Sequence, residues 1–513
     1  MHQLTIPRRS HDSKPHEREC DGRSQCPESR PRLQGLDPHT APSMSQIRLQ
    51  LLPLAVALVQ VSCTTSGPPA DLAIQNVTVI DAVNGAREAL TVLVSDGRIT
   101  AVQAADEAVR ATEVVDGSGQ YLIPGLWDFH VHLTYDARFT EAMPGLFLNH
   151  GITSIRDTGG PLELVVPAVE GMRAEGVTAP RVFFAGPLMD GEHVVYDGTD
   201  RPLLGIGNPD AETARANMAR LAEAGVDFVK IYEMVSPEVF AVLVEEAQSR
   251  GLPMDGHVPL SMRARNVGPH VQSLEHLRNI EMDCTANPAA SVAERRRLLA
   301  NPDGIAGGTL RSQLHSMYRL PSVADYDEAG CREVLASMMS TIQVPTLRLN
   351  ALSLQPPFAR SDWSEVLEKL PAEVAADWGA PSLGPLGGRS ADPVFPNWSL
   401  FLVDLMHQAG VPIGAGTDTP IAFAAPGYSL HSELEMLVRA GLSPIEALRA
   451  ATLRPAEFFS LEGEMGTIEP GRLADLVLLS GNPLDDITQT RSVQAVVIKG
   501  QLLDRSELDA LVR

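Results

Sequence analysis

Leu122-Ile-Pro-Gly-Leu-Trp-Asp-Phe-His-Val-His132 is an apolar run that ends in two histidines one residue apart. Its character is that of a buried strand. Residues two apart in a strand share a face, so His130 and His132 point the same way, about 6.6 Å apart along the chain. Two imidazoles so placed can hold one divalent ion at about 2.0 Å each. Such a pair gains its meaning from what other strand ends add.

Working outward, residues 72–80 read as a strand, and 90–95 turn through Asp96-Gly97 into 98–102 as a hairpin. Near the far end, 474–479 and 493–498 are strands, preceded by the turn-rich 466–471. Neither set can bury a core alone. The two ends are therefore expected to pair into one small β-sandwich, 64–121 with 461–513, around an inserted middle of 122–460.

That middle alternates strands and helices. Strands are expected at 151–156, 181–185, 226–232, 252–258, 271–276, 343–347 and 411–417, and a helix at 211–224. Ser236-Pro237 is an N-cap followed by proline at the first helical position, with Gly251 as the stop. Ser443-Pro-Ile-Glu446 is a capping box. With the His130 strand these make eight, the pattern of an α/β chain folded as a (β/α)8 TIM-like barrel whose chemistry sits at the carboxyl ends of its strands. About 280–341 is too long for a plain connection and reads as a helical insertion that could roof the mouth.

The other strand ends carry chemistry. Lys230 shares a face with Val226, Phe228 and Tyr232. An inward lysine costs several kcal/mol unless neutral or paired. Burial disfavours the charged form, and a neutral amine is nucleophilic. It can add carbon dioxide to become a carbamate with two oxygens; the alternative is a side chain that snorkels to the rim. His257 stands in Asp255-Gly-His-Val-Pro259 and His276 in Ser273-Leu-Glu-His276. Asp418 ends Gly414-Ala-Gly-Thr-Asp418, whose glycines allow close backbone approach. Taken alone, Asp418 could equally be a helix N-cap.

Two His, a Lys, two more His and an Asp, in order on the first, fourth, fifth, sixth and eighth strands, resemble the metal-dependent amidohydrolase superfamily in its prolidase-like and imidazolonepropionase-like branch. The likeness extends to Phe228-Val-Lys-Ile-Tyr232, Ala447-Leu-Arg-Ala-Ala-Thr452 and Gly466-Thr-Ile-Glu-Pro-Gly-Arg-Leu-Ala-Asp-Leu-Val477. It implies that His130, His132 and Asp418 hold a first ion and that His257 and His276 hold a second. Carboxylated Lys230 would bridge the two. Zinc suits such donors, and two ions activate water and polarise a carbonyl. Asp418 would be the catalytic acid–base group, passing a proton to a leaving amine. Tyr232 could bind a substrate carboxylate or polarise its carbonyl, or simply pack. His193, in Asp190-Gly-Glu-His-Val194, and His431, in Ser429-Leu-His-Ser-Glu433, are further candidates for substrate binding. Glu275 points away from the pocket by alternation, and Asp128 shares the face of His130 and could orient a ligand.

The expected reaction is hydrolysis of a carbon–nitrogen bond in a small amide such as a dipeptide or N-acyl amino acid. A cyclic amide, imidazolone or lactone is the alternative within that chemistry, and a non-catalytic substrate-binding lipoprotein the alternative outside it. With 41 basic and 64 acidic residues in 513, the net charge of -23 argues against nucleic acid or an anionic membrane as partner. A homo-oligomer is expected.

Residues 1–43 are rich in Arg, His, Pro and Ser and are expected to be disordered, a misassigned upstream extension. Residues 44–63 then read as a signal peptide: Arg48, the apolar run 51–59, and Ser62-Cys63. Export follows, to the periplasm or as a membrane-anchored lipoprotein with Cys63 acylated, although Gln60 departs from the usual aliphatic residue. Cys284 and Cys331 are then the remaining pair in an oxidising compartment, and a disulfide closing the insertion is expected between them.

Overall fold

One sheet joins the two ends of the chain. The computed structural model describes residues 68–199, 201–301, 303–379 and 392–512. The N-terminal segment contributes β1 (Ala70–Asp81), β2 (Gly85–Ser95), β3 (Arg98–Ala104), β4 (Ala111–Asp116) and β5 (Tyr121–Pro124). The middle contributes β6 (Leu126–Val131), β7 (Ile152–Asp157), β8 (Arg181–Phe184), β9 (Leu188–Asp190), β10 (Gly205–Gly207), β11 (Val229–Ile231), β12 (Met254–Gly256), β13 (Ser273–Glu275) and β14 (Ile342–Val344). The C-terminal segment adds β15 (Leu476–Leu479), β16 (Val493–Ile498) and β17 (Gln501–Asp504).

The terminal sheet runs β17-β16-β15-β5-β1-β2-β3, with β4 on β1. Its seam is the antiparallel pair β5–β15, in which Ile123 faces Val477 and Leu122 faces Leu478. The expected hairpin at Asp96-Gly97 forms with φ of 51° and 72°, the positive values a tight two-residue turn needs. Strand alternation divides the sheet between two cores. Leu122, Leu476, Leu478, Ala495 and Val497 meet Ile74, Val92 and Ile99 in one cluster. Ile123, Val477, Val496 and Ile498 face the larger core of the middle region. Burial on both faces explains why 476–479 and 495–498 are unbroken apolar runs. The sheet claims β5, so the middle region begins at Leu126 and not at 122. Gly125 marks that boundary: a Cβ there would lie 2.0 Å from Thr153 Oγ1.

The middle has a TIM-barrel-type α/β architecture. Its parallel strands fall into the arcs β6-β7-β8 and β10-β9-β11-β12-β13-β14. Asp227 N donates to Phe184 O (2.9 Å) between the arcs on one side. On the other, the segment expected as the strand 411–417 is not a regular strand. It makes isolated parallel bridges instead, Ile413 with Gln343 and Thr419 with Val131. Its glycines are the reason: a Cβ on Gly416 would sit 2.7 Å from the Cβ of His130, so this segment reaches the His130 strand only without a side chain there. The strands are shorter than expected elsewhere too, with only Val229–Ile231 of 226–232 in the ladder.

Ser236 caps the helix Pro237–Arg250 through Val239 N, and Gly251 ends it at φ 67°. The capping box of Ser443 and Glu446 opens Pro444–Ala450. Between β13 and β14 the expected insertion is helical: Ile280–Asp283, Pro288–Leu299, Gly307–Ala324 and Glu328–Ala336. A Cys284–Cys331 disulfide, with Cα atoms 4.1 Å apart, closes it. No helix among the described residues is long and apolar enough to cross a membrane. The upstream extension, the signal-like segment and Cys63 lie outside the described residues.

Candidate metal centre

All six chelating candidates meet in one buried cavity. His130, His132, Lys230, His257, His276 and Asp418 line it, with Tyr196, Tyr232 and Arg278 among its other walls. His130 and His132 leave β6 on one face, as alternation requires. The donor atoms of His130, His132 and Asp418 lie within 4.8 Å of one another. Asp418 Oδ1 is 3.2 Å from His130 Nε2 and 3.3 Å from His132 Nε2. Ligand atoms arranged tetrahedrally at 2.0–2.1 Å from one ion are about 3.3–3.4 Å apart. The two spacings from Asp418 are therefore those of donors around a common centre. His276 continues the set, its ring 4.6 Å from that of His130 and 4.9 Å from that of His257.

Each histidine is tied by its other nitrogen. His130 Nδ1 meets Glu275 Oε2 at 2.5 Å, and His132 Nδ1 meets Gly159 O at 3.0 Å. His257 Nδ1 meets Glu233 Oε1 at 2.9 Å, and His276 Nδ1 meets Thr346 Oγ1 at 2.6 Å. Acceptors at Nδ1 hold the proton there and leave the Nε2 lone pair for a ligand. Burial pushes His130 and His257 down to about 3 and His276 well below the ordinary imidazole value, so these three are neutral, as metal ligation requires. Burial works to lower His132, but Asp418, together with Asp157 and the Gly159 carbonyl, shifts it upward. Burial works to raise Asp418, but the imidazoles around it hold the carboxyl well below its usual range. Neutral imidazoles and an ionised carboxylate are a donor set that fits a divalent ion.

Lys230 is 1% exposed, and its Nζ lies 3.0 Å from Asp255 Oδ2. Its burial is met by an ion pair, and it does not snorkel to the rim. Beneath it stands Arg156, fully buried. Arg156 donates from Nε to Phe129 O (2.7 Å), from Nη1 to Ser273 Oγ (2.9 Å) and from Nη2 to Glu275 Oε1 (2.7 Å). Its guanidinium lies 3.5 Å from the Phe129 ring centre. One cation thus steadies the carboxylate behind His130, and Nη2 is also 3.7 Å from the Asp255 carboxylate that holds Lys230.

Sequence reasoning left several of these residues unread. Glu233 accepts from His257, from Arg311 Nε (2.9 Å) and Nη2 (2.7 Å), from His315 (2.5 Å) and from Asn279 (3.3 Å). Arg311 and His315 belong to the inserted helix Gly307–Ala324. Glu275 turns away from the cavity as expected, and there it orients His130. Asp128 accepts from Thr417 N (3.0 Å) and Thr417 Oγ1 (2.6 Å), fixing the residue before Asp418, and from the backbone N of His130 at 3.4 Å. Tyr232 lines the cavity, its ring 4.5 Å from that of His257.

Two candidates stand elsewhere. His193 is half-buried and does not line the cavity. His431 is fully buried, with Nδ1 on Thr490 Oγ1 (3.0 Å) and Nε2 on His150 O (3.1 Å). Its nitrogens tie the helix Tyr428–Arg439 to the segment before β16 and to the end of the helix Met143–Asn149, so neither is free for substrate.

Comparison with known proteins gives the same picture. The amidohydrolase family model matches residues 401–503, the stretch that carries Asp418. An imidazolonepropionase from Symbiobacterium thermophilum is 24% identical over 75% of this chain and 82% of its own. A solved structure from Bifidobacterium longum, described as prolidase-like, is 26% identical with a TM-score of 0.59 over 86% of this chain and 98% of its own. These matches support the amidohydrolase superfamily for this chain. An adenine deaminase from Shouchella clausii is 27% identical over 37% of this chain and 34% of its own length, and one from Mesorhizobium japonicum matches over 58% of its length. The chain thus spans well under two thirds of those deaminases. Within the superfamily, what this amidohydrolase acts on is a separate question from its fold.

Proposed function

We propose that this protein is a metal-dependent hydrolase that cleaves the carbon–nitrogen bond of a small amide such as a dipeptide or N-acyl amino acid. The observation that carries the reading is the convergence of His130, His132, Lys230, His257, His276 and Asp418 on one cavity. Two zinc ions are the cofactor proposed, the first on His130, His132 and Asp418. His257 and His276 offer the second ion two nitrogens, and a carboxylated Lys230 would supply oxygen to both. The parallel arcs, linked through 411–419, are inferred to form one closed (β/α)8 barrel.

Bound ions would supply Lewis-acid polarisation and water activation. The chain's own residues do the rest. Asp418, held ionised, accepts a proton from the attacking water and delivers it to the leaving nitrogen. Burial pushes the Tyr232 phenol well above its ordinary value, so it stays a hydrogen-bond donor available to the substrate carbonyl. We also propose export with acylation at Cys63. The disulfide at Cys284–Cys331 supports an oxidising compartment, and a native chain beginning at Met1 would count against it.

The test is release of amine or ammonia from dipeptides, N-acyl amino acids, lactones and adenine, with and without a chelator. Chelator-sensitive cleavage of an amide class is the expected result, and Asp418→Asn should abolish turnover. Cleavage that survives both changes sinks the mechanism. Ammonia from adenine alone would move the substrate assignment to the deaminases.

A further inference from the structure

We propose that Arg278 anchors a carboxylate of the substrate, so that the molecules this site selects carry a free carboxylate. This deepens the amide-hydrolase reading and rests on it for the identity of the site. Arg278 lines the same cavity as the six chelating residues. Its Nε is buried and has no hydrogen-bond partner. No carboxylate among the described residues lies within ion-pair distance of its guanidinium. A cation left in such a position is costly unless something else meets it.

Arg295 and Arg319 share the unpartnered Nε, but each neighbouring cation has a side-chain partner of its own. Arg311 is taken up by Glu233 through two hydrogen bonds of 2.9 and 2.7 Å. Arg295 Nη1 donates to Asn279 Oδ1 at 3.0 Å. Arg319 lies 3.0 Å from His315 Nδ1 and 3.8 Å from Glu281. Four guanidinium groups therefore share two carboxylates, Glu233 and Glu281, on this side of the cavity. The surplus is positive, on a chain whose net charge is -23. A positive interior under an acidic surface selects an anion by local field and not by the charge of the whole molecule.

The backbone holds this arrangement under strain. His276, Leu277 and Asn279 have φ of 58°, 58° and 63°, left-handed values in residues that are not glycine. Such values persist outside glycine where the surroundings enforce them. The turn they make brings His276 and Arg278, two residues apart, to one cavity. A guanidinium matches a carboxylate through two parallel hydrogen bonds, which adenine, whose ring acceptors stand beside an amino donor, cannot accept in the same way. The cavity, about 30 Å³, has room for ions and water. An amide therefore needs the cavity walls to move, and its carboxylate is the group that would meet Arg278.

The probe is N-methanesulfonyl-L-alanine, whose sulfonamide resists hydrolysis, compared with its carboxamide by calorimetric titration into the zinc-loaded full chain. The acid should bind about 10–100-fold more tightly than the carboxamide, the range of a hydrogen-bonded charge pair. Arg278→Met, which keeps an apolar stem, should erase that preference, and Arg278→Lys should retain part of it. Equal affinity for acid and carboxamide, binding of neither, or an unchanged preference in Arg278→Met overturns the proposal. Turnover is not needed for this readout, so a failed hydrolysis assay leaves it standing, and its own failure leaves the hydrolase reading untouched.

Discussion

Replacing Glu275 with glutamine changes one atom in the protein and reaches the first ion through a tautomer. Glu275 Oε1 accepts from Arg156 Nη2 at 2.7 Å while Oε2 meets His130 Nδ1 at 2.5 Å. A glutamine must keep its carbonyl oxygen toward the guanidinium, because the opposite orientation sets an NH2 against a buried cation. Its NH2 then faces His130 Nδ1, which becomes an acceptor. The imidazole proton moves to Nε2, the nitrogen 3.2 Å from Asp418 Oδ1. That nitrogen loses the lone pair a metal needs. Outer partners of this kind are worth about 10–100-fold in metal affinity, or roughly 1.4–2.8 kcal/mol. His257 and His276 keep their partners, so only one of two sites should weaken. Competition against a chromophoric chelator, with metal content read by mass spectrometry, measures both affinities. Two affinities identical to wild type in Glu275→Gln would refute the tautomer argument, even if activity fell.

Arg156→Met strips the cation from two buried carboxylates, Glu275 and Asp255. Loss of one partner from a buried pair costs about 3–5 kcal/mol. A unit the size of Gly67–Arg513 unfolds with an entropy of about 0.9 kcal/mol/K, so scanning calorimetry should show Tm lower by about 3–5 °C. Cys331→Ser opens a loop of separation 47, worth about 4 kcal/mol by chain entropy, and should lower Tm by a similar amount. An unchanged Tm in either variant contradicts the packing described. Glu433, buried and accepting from Leu347 N and Arg348 N, is pushed by burial from 4.5 up to about 8. A folded pKa raised above the unfolded one stabilises below about pH 4.5, and that stability is lost as pH rises through 8. Denaturant titrations of Glu433→Gln at pH 5, 6.5 and 8 should give a flatter decline than wild type, and an identical slope excludes Glu433 as its source.

The histidines and Lys230 were legible because each stands in or just after a strand, where a period of two fixes direction. Alternation alone aimed His130 with His132 and sent Glu275 to the opposite side. It could not aim His193, which sits in a loop without a period, nor His431, whose helix turns that side toward Thr490. The segment 411–419 misled because Val411-Pro-Ile-Gly-Ala-Gly carries the apolar content of a strand, while its glycines serve close approach to His130. Glu233, Arg311 and His315 carried no signal at all. They lie 78 and 82 residues apart and meet only because an inserted helix folds back.

That separation follows from what each layer must do. A metal ligand needs a neutral nitrogen at a set position, which a strand end supplies through local geometry. Burial keeps it neutral, an acceptor behind it fixes the tautomer, and where that acceptor is a carboxylate, as behind His130 and His257, it requires a cation of its own. The chain supplies the cations from different places: Arg156 from β7 behind His130, and Arg311 from the inserted helix behind His257. The insertion therefore reaches the site through charge. Its helix Gly307–Ala324 completes the charge balance of one half of the site, while the half on His130 is balanced from within the strands. A substitution that loosens the insertion should accordingly act through Glu233 on His257, and one at the strands' centre through Glu275 on His130.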